Sequence, residues 1–332
     1  MGSTGQSERN EKMRAIVQNG YGSADVLRMT EIDRPAIASG EVLVRVAAAG
    51  VDRGVWHLMT GKPYAARLAL GMPRDRVAGM DVAGTVAAVG AEVTRFAVGD
   101  EVFGVGRGSF AEYTAAAEGK LAHKPAGLGF AQAGVVAVSG VTALRAVRTA
   151  GRAEPGQHVL VIGASGGVGS YAVQLAKGAG ARVTGVCGTA KADLVRSLGA
   201  DDVIDYTTTD FADRGVRYDL IVDIGGLSRF ARLRRALTPR GTLVIVGGEG
   251  GGQILGAGRT VHALALSPFV RQRLTAIIAV PGRADLETLR GLLDSGELTP
   301  AVGATYPLAE APAAVRLLES GQARGKIALT VG

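Results

Sequence analysis

The feature that most constrains this chain is a strict alternation that begins at His158. VLVIGA reads as a strand, GGVGSYAVQLAKGAG as a helix with Val168, Ala172, Leu175 and Ala179 on one face, and RVTGVC as a second strand. AKADLVRSLG then reads as a helix and DDVIDY as a strand. DLIVDIG and TLVIVGG follow as strands on either side of an arginine-rich helix. LTAIIAV (274–280) supplies a sixth strand and ADLETLRGLLDSG (284–296) a closing helix. Strands that alternate with helices in this way predict an α/β fold, a doubly wound parallel sheet with helices on its faces.

Inside that alternation sits a glycine-rich turn. Gly163, Gly166 and Gly169 fall three apart, with Gly167 between them, directly after the first strand and at the head of its helix. A glycine triplet alone is a weak signal in a chain with 50 glycines. Between a strand and a helix it is specific. Glycine lets the backbone turn tightly and come close to a pyrophosphate, and the helix start offers unpaired N–H groups and the positive end of its dipole. The second strand ends VCGT, without the acidic residue that would hold a ribose 2′-hydroxyl in an NAD site. Thr189 and Lys191 stand there instead, with Arg196 further on, so the expected cofactor is NADPH. Thr189 also reads as the N-cap of a helix over 190–199.

Composition bounds the remaining choices. At 332 residues, 47% hydrophobic and 20% charged, the chain is long enough for two globular domains. The first twelve residues read as a flexible leader. No apolar run reaches the length of a membrane span, and no signal-peptide core is present, so a cytoplasmic protein without membrane contact is expected. The single cysteine, Cys187, excludes an internal disulfide, and four histidines without HxxxH spacing give no zinc motif. The net charge of +7 comes mostly from scattered arginines. Those of RFARLRRALTPR (229–240) read as a solvated helix face, and aromatics do not interleave with the basic residues, so no nucleic-acid partner is expected.

Before residue 130 the pattern is β-rich, with EVLVRVAAAG, MDVAGTVAAVG and DEVFGVG separated by turn residues. After 296 it returns to β-like punctuation, one helix and the terminal run KIALTV, which could pair back into the N-terminal β region. GGEGGGQILGAG (247–258) reads as a flap leading to an apolar wall at 266–269.

These segments together resemble the medium-chain dehydrogenase/reductase superfamily, in its zinc-free, quinone oxidoreductase-like branch. The resemblance rests on GEVLVRVAAAGV, GMDVAGTVAAVG, GSFAEY, SGVTALRAV, PGQHVLVIGASGGVG, SLGADDVIDY, RGTLVIVGG and RGKIALTV, in that order. It implies a GroES-like substrate domain over 13–129 and 297–332, around a Rossmann cofactor domain over 130–296. Zinc-dependent relatives carry a cysteine ligand and a Gly-His-Glu motif where this chain has Val51-Asp52 and Gly79-Met80-Asp81, so no metal is expected. Without a Lewis acid, plain alcohol oxidation is disfavoured. The implied activity is NADPH-dependent reduction of quinones or of the C=C bond of α,β-unsaturated carbonyls. Carbonyl reduction to an alcohol is the alternative, and a non-catalytic NADPH-binding sensor or scaffold is the reading from another class. LTAIIAV, a hydrophobic edge strand in this topology, is expected to pair with its symmetry mate in a homodimer, and the resemblance points the same way.

By position, the resemblance assigns cofactor contacts to Thr142, to Gly163, Ser165, Gly166, Gly167, Val168 and Gly169, and to Thr189, Lys191 and Tyr206 around the 2′-phosphate. Asp223, Gly225, Gly247 and Gly248 would flank the nicotinamide, and Lys326 would stand near the cleft. Tyr206 reads equally as a packing residue and Lys326 as an exposed lysine. On the substrate side this chain has Asp52-Arg53-Gly54-Val55 where many relatives read N-P-x-D. His57, oriented by Asp52, and nearby Tyr64 are the candidate catalytic groups. The alternative for Asp52 is a cap on the helix VWHLMTG, with His57 on that helix's surface.

Overall fold

The computed structural model describes residues 11–62, 64, 67–68, 71–247 and 258–332. The leader lies outside them except for Glu11 and Lys12, and Lys12 already opens the first strand.

The N-terminal strands are β1 (Lys12–Gln18), β2 (Leu27–Asp33), β3 (Glu41–Val51), β4 (Arg76–Val77), β5 (Asp81–Val89), β6 (Glu101–Val105), β7 (Tyr113–Ala117) and β8 (Leu121–His123). β1 is central to a small antiparallel sheet, between β2 and β4. Alternating buried residues of β3 (Val42, Val44, Val46) face a core with Val82 and Val86 of β5, as a sheet with one covered face requires.

From β9 (His158–Ile162) the chain alternates as expected, through β10 (Arg182–Cys187), β11 (Asp202–Asp205), β12 (Tyr218–Asp223), β13 (Leu237–Ile245) and β14 (Arg273–Ala276). Their order, β11-β10-β9-β12-β13-β14, is that of a doubly wound dinucleotide fold. All five pairings are parallel. The crevice at the switch point therefore lies beyond the carboxyl ends of β9 and β12. Tyr171, Ala172 and Leu175 of the helix Gly167–Gly178 pack onto Val159, Val161, Leu220 and Val222.

The tail closes the first sheet. β15 (Val302–Pro307) and β16 (Lys326–Thr330) are parallel, and β16 pairs antiparallel with β3, setting Ile327 against Val51 and Leu329 against Ala49. The terminal run thus returns to the N-terminal sheet and places its first residue, Lys326, beside the phosphate turn.

Two segments depart from the sequence reading. The sixth strand stops at Ala276, and Ile278 beyond it is 92% exposed, because among the described residues no further strand covers that edge. A helix, Gly258–Leu266, follows the flap segment, whose residues 248–257 lie outside the described ones. Glycine before it and a single buried residue, Ala263, hid its period.

Candidate active site

The three spaced glycines have three separate jobs. Gly163 takes a left-handed φ of 85°, which makes the tight turn off β9. Gly166 precedes the helix in an extended conformation, and a Cβ there would meet only the Gly163 carbonyl, at 3.5 Å. A Cβ on Gly169 would lie 2.1 Å from that same carbonyl, so the helix can seat on the strand only with glycine there. Among the described residues, no side chain caps the helix start. An open cradle with uncapped N–H groups at a helix dipole fits a pyrophosphate.

The turn opens into a cavity of about 820 Å³ lined by Gly163, Ser165, Thr189, Lys191, Tyr206 and Gly225 among the expected residues. Tyr206 is 67% exposed with its hydroxyl over Gly188, and is not a core packing residue. Gly166, Gly167, Val168 and Gly169 form the turn and the first helical turn beside this cavity. Thr142, Asp223, Gly247 and Lys326 do not line it.

Several of these residues already have partners within the protein. Thr189 does not cap a helix. It opens a short 3₁₀ turn, Thr189–Lys191, and its hydroxyl bonds the Asp205 carboxylate at the end of the neighbouring strand β11. Asp205 itself does not line the cavity, so the acid beside Thr189 holds that hydroxyl. Lys191 does not stand free: its ammonium donates to the carbonyls of Gly321 (2.5 Å) and Ala323 (2.8 Å), and burial lowers its pKa. The Thr142 hydroxyl is spent on the carbonyl of Val138, one turn back. Asp223 is fully buried, and its carboxylate is held by Arg259 and by the N–H of Gly226. Gly247 is a close backbone approach, where a Cβ would lie 2.2 Å from the Ile224 carbonyl. Gly248 lies outside the described residues.

Sequence reasoning missed Arg229. This exposed arginine lines the cavity, and while its carbonyl accepts from the N–H groups of Arg232 and Leu233, its guanidinium has no partner among the described residues. It was read only as part of a solvated helix face, whereas it ends the loop before the helix Phe230–Ala236.

On the substrate side, Asp52 caps the helix Arg53–Thr60, Oδ1 accepting from the N–H of Val55 at 3.1 Å. It does not orient His57. The imidazole Nδ1 lies 2.9 Å from the carbonyl of Lys62, which can only accept, so Nδ1 carries that proton and Nε2 is left for other partners. Asp52 Oδ2 is buried with no partner among the described residues. Tyr64 is 38% exposed, and the Arg67 guanidinium lies 4.5 Å from its ring centre.

Asp81 and Lys326, which the sequence placed 245 residues apart, meet in the interior. Lys326 Nζ lies 3.4 Å from Asp81 Oδ2 and 3.0 Å from Ser139 Oγ, and both charged side chains are almost wholly buried. Lys326 is not an exposed lysine. Asp81 Oδ1 accepts from the N–H of Val138 at 2.7 Å. Burial pushes the Asp81 carboxyl up to about 7, against the pull of Lys326 and with the help of the Asp52 charge. Among the described residues, no three His, Cys, Asp or Glu side chains gather as a metal ion would require.

Fold and site together define a two-domain dinucleotide-binding protein with its cofactor crevice at the sheet's switch point. Comparison with known proteins agrees. Residues 38–126 match the alcohol dehydrogenase GroES-like domain, and residues 198–329 match a family described as zinc-binding dehydrogenase. The chain is 31% identical to the chloroplastic quinone-oxidoreductase QR1 of Triphysaria versicolor, covering 95% of this chain and 97% of that protein. It is 34% identical to the chloroplastic NADPH-dependent alkenal/one oxidoreductase of Arabidopsis thaliana, over 96% and 79%. The structure of the quinone oxidoreductase from Coxiella burnetii superposes with a TM-score of 0.85 at 26% identity, covering 97% and 100%. The chain belongs to the medium-chain dehydrogenase/reductase superfamily, in its zinc-free quinone oxidoreductase-like branch. It is an oxidoreductase that uses a nicotinamide cofactor. The second family takes its name from zinc-binding members. Here the cation facing Asp81 is the ammonium of Lys326.

Proposed function

We propose that this protein reduces quinones or α,β-unsaturated carbonyls with NADPH, without a metal. The observation that carries the reading is the single cavity joining the phosphate turn to Thr189, Lys191 and Tyr206. The names of the relatives support the substrate class. The bound cofactor supplies the hydride. The chain holds its phosphates at the turn and meets charge developing on the substrate oxygen with a hydrogen-bond donor. His57 Nε2 is the donor we assign, with the hydroxyl of Tyr64 as a second polar group on the same segment. Steady-state turnover of a panel of quinones, enones and aldehydes with NADPH tests the activity. Turnover of aldehydes alone would make it a carbonyl reductase, and binding without turnover a sensor.

The preference for NADPH over NADH belongs to this proposal. Lys191, Arg229 and Arg232 are the cations that line the cavity, Arg232 being paired with Asp210 and Asp213, and a charge-assisted contact is worth about 1.5–3 kcal/mol, roughly tenfold to a hundredfold in affinity. To meet a 2′-phosphate, Lys191 exchanges its carbonyl partners Gly321 and Ala323 for the anion. Lys191→Glu should weaken NADPH about tenfold to a hundredfold beyond its effect on NADH, as read by fluorescence titration. Equal weakening of both would leave Lys191 with only its structural contacts.

A homodimer through the β14 edge completes the reading. β14 ends the six-stranded sheet, and next to it Phe269, Ile278 and Val280 are 83%, 92% and 59% exposed. An apolar open edge calls for a partner strand, and two-fold pairing closes it. Light scattering at micromolar concentration should return twice the chain mass, and Ile278→Lys should return the monomer.

A further inference from the structure

The Asp81–Lys326 pair has no part in the chemistry derived so far, yet it touches the phosphate turn. A Cβ on Gly167, the first residue of the phosphate helix, would lie 2.9 Å from Lys326 Cδ and 3.3 Å from Ser139 Oγ. Gly325, one residue earlier, donates its N–H to the Ser165 carbonyl at 2.8 Å. The stem of Lys326 therefore runs directly behind the cradle. Its ammonium carries three hydrogens, and two acceptors face it among the described residues, Asp81 Oδ2 and Ser139 Oγ.

We propose that Lys326 is a shared cation, balanced by Asp81 in the free protein and by the cofactor's pyrophosphate in the complex, so that dinucleotide binding makes Asp81 take up a proton. Asp81 acts here as a positioning residue through Lys326. The inference rests on the nicotinamide-cofactor reading of the cavity.

The charges around Asp81 argue for it. Lys326 reaches it from β16, Asp52 from the loop after β3, Tyr171 from the phosphate helix, and Ser139 and the Val138 N–H from the helix Ala137–Leu144. Lys326 is the only cation in that set. A buried carboxylate survives only with a paired charge. A dianion at Gly166 and Gly167 draws on that one cation and adds repulsion, and both effects favour the protonated carboxyl. The proton comes from solvent and stays on a carboxylate oxygen, and no bond to the cofactor forms. The sign follows from the position of this titration. With the free-state carboxyl at about 7, the group is already protonated well below that pH and binding takes up nothing. Above it, the group is ionised and binding draws in a proton.

Calorimetry of NADPH binding in buffers of differing ionisation enthalpy reads the uptake directly. For the wild type, uptake should be near zero at about pH 5.5 and approach one proton at about pH 8, above the titration of the 2′-phosphate. Asp81→Asn should abolish the uptake and bind NADPH several-fold more tightly at pH 8, because the competing anion is gone. Lys326→Met should weaken binding about tenfold or more. If Asp81→Asn weakens binding as Lys326→Met does, the pair is a structural strut and the proposal fails. Should the asparagine variant not fold, the wild-type pH series decides alone: a flat series overturns the proposal. Failure of the wild type to bind any nicotinamide dinucleotide would overturn the cofactor reading and this inference together, whereas binding without proton uptake overturns only the inference.

Discussion

Gly166→Ala should leave the protein as stable as the wild type and cripple dinucleotide binding, while Gly169→Ala should lower stability outright. The two positions differ in what an added methyl would meet. At Gly166 the backbone is extended and only the Gly163 carbonyl comes near, at 3.5 Å, which is ordinary contact. Substitutions that touch nothing in the folded state stay within about 0.5 kcal/mol. The open space there is the approach that a pyrophosphate needs. Overlap of the methyl with the phosphates should cost about 1–3 kcal/mol, roughly fivefold to a hundredfold in affinity. At Gly169 the methyl would lie 2.1 Å from the Gly163 carbonyl and 2.8 Å from the backbone of Ala164. Neither neighbour is a side chain that can rotate away, so the helix must lift from β9. The expected loss is about 3 kcal/mol or more in stability, net of the helix-propensity gain of alanine over glycine. Thermal melts paired with NADPH titration separate the two effects. A Gly166→Ala protein that binds normally would show that the phosphates do not use this turn.

His57→Ala should lower enone turnover about a hundredfold to a thousandfold with little change in NADPH affinity. Loss of one well-placed oxyanion donor costs about 2.7–4 kcal/mol of transition-state stabilisation. The structure gives this proposal a definite atom. Nδ1 is committed to the Lys62 carbonyl, which fixes the ring and leaves Nε2 for other partners. In the neutral ring with its proton on Nδ1, Nε2 is an acceptor, so donation to a substrate oxygen requires a proton on both ring nitrogens. Stopped-flow and steady-state rates against pH for the wild type and His57→Ala test this. A variant that keeps more than about half the activity would assign the donor to Tyr64, to water or to the cofactor's ribose. Removing Asp52 should act differently. It would strip a helix cap worth about 1 kcal/mol and shift the melt, without reproducing the His57 kinetic profile.

The phosphate turn was legible in the sequence because its determinants are local. Within seven residues, Gly163, Gly166 and Gly169 set a left-handed φ, an open approach and a helix–strand contact. The strand before and the helix after announced themselves by period. The return of the terminal strand to the N-terminal β region was legible for a similar reason, since KIALTV is an apolar run that needs a covered sheet position, and the structure places it on β3. Asp52 was legible as a cap, because its partner is three residues away.

Tertiary packing decided which polar side chains remain available. Lys191 is bound by carbonyls 130 and 132 residues distant, Asp223 by an arginine 36 residues on, and Thr189 by an acid from the adjacent strand, 16 residues on. Lys326 meets Asp81 across 245 residues. None of these contacts leaves a periodic trace in the sequence, because a single buried charge disturbs neither the helical nor the strand pattern around it. Its partner is chosen by how β16 lies against β3 and β5 and by how the phosphate helix lies against both. The sequence by itself thus determined where a dinucleotide's phosphates can rest, since backbone conformation and helix dipole are properties of a short segment. Only the tertiary structure decided which charges surround them, since a buried charge must find its counter-charge wherever the folded chain brings one.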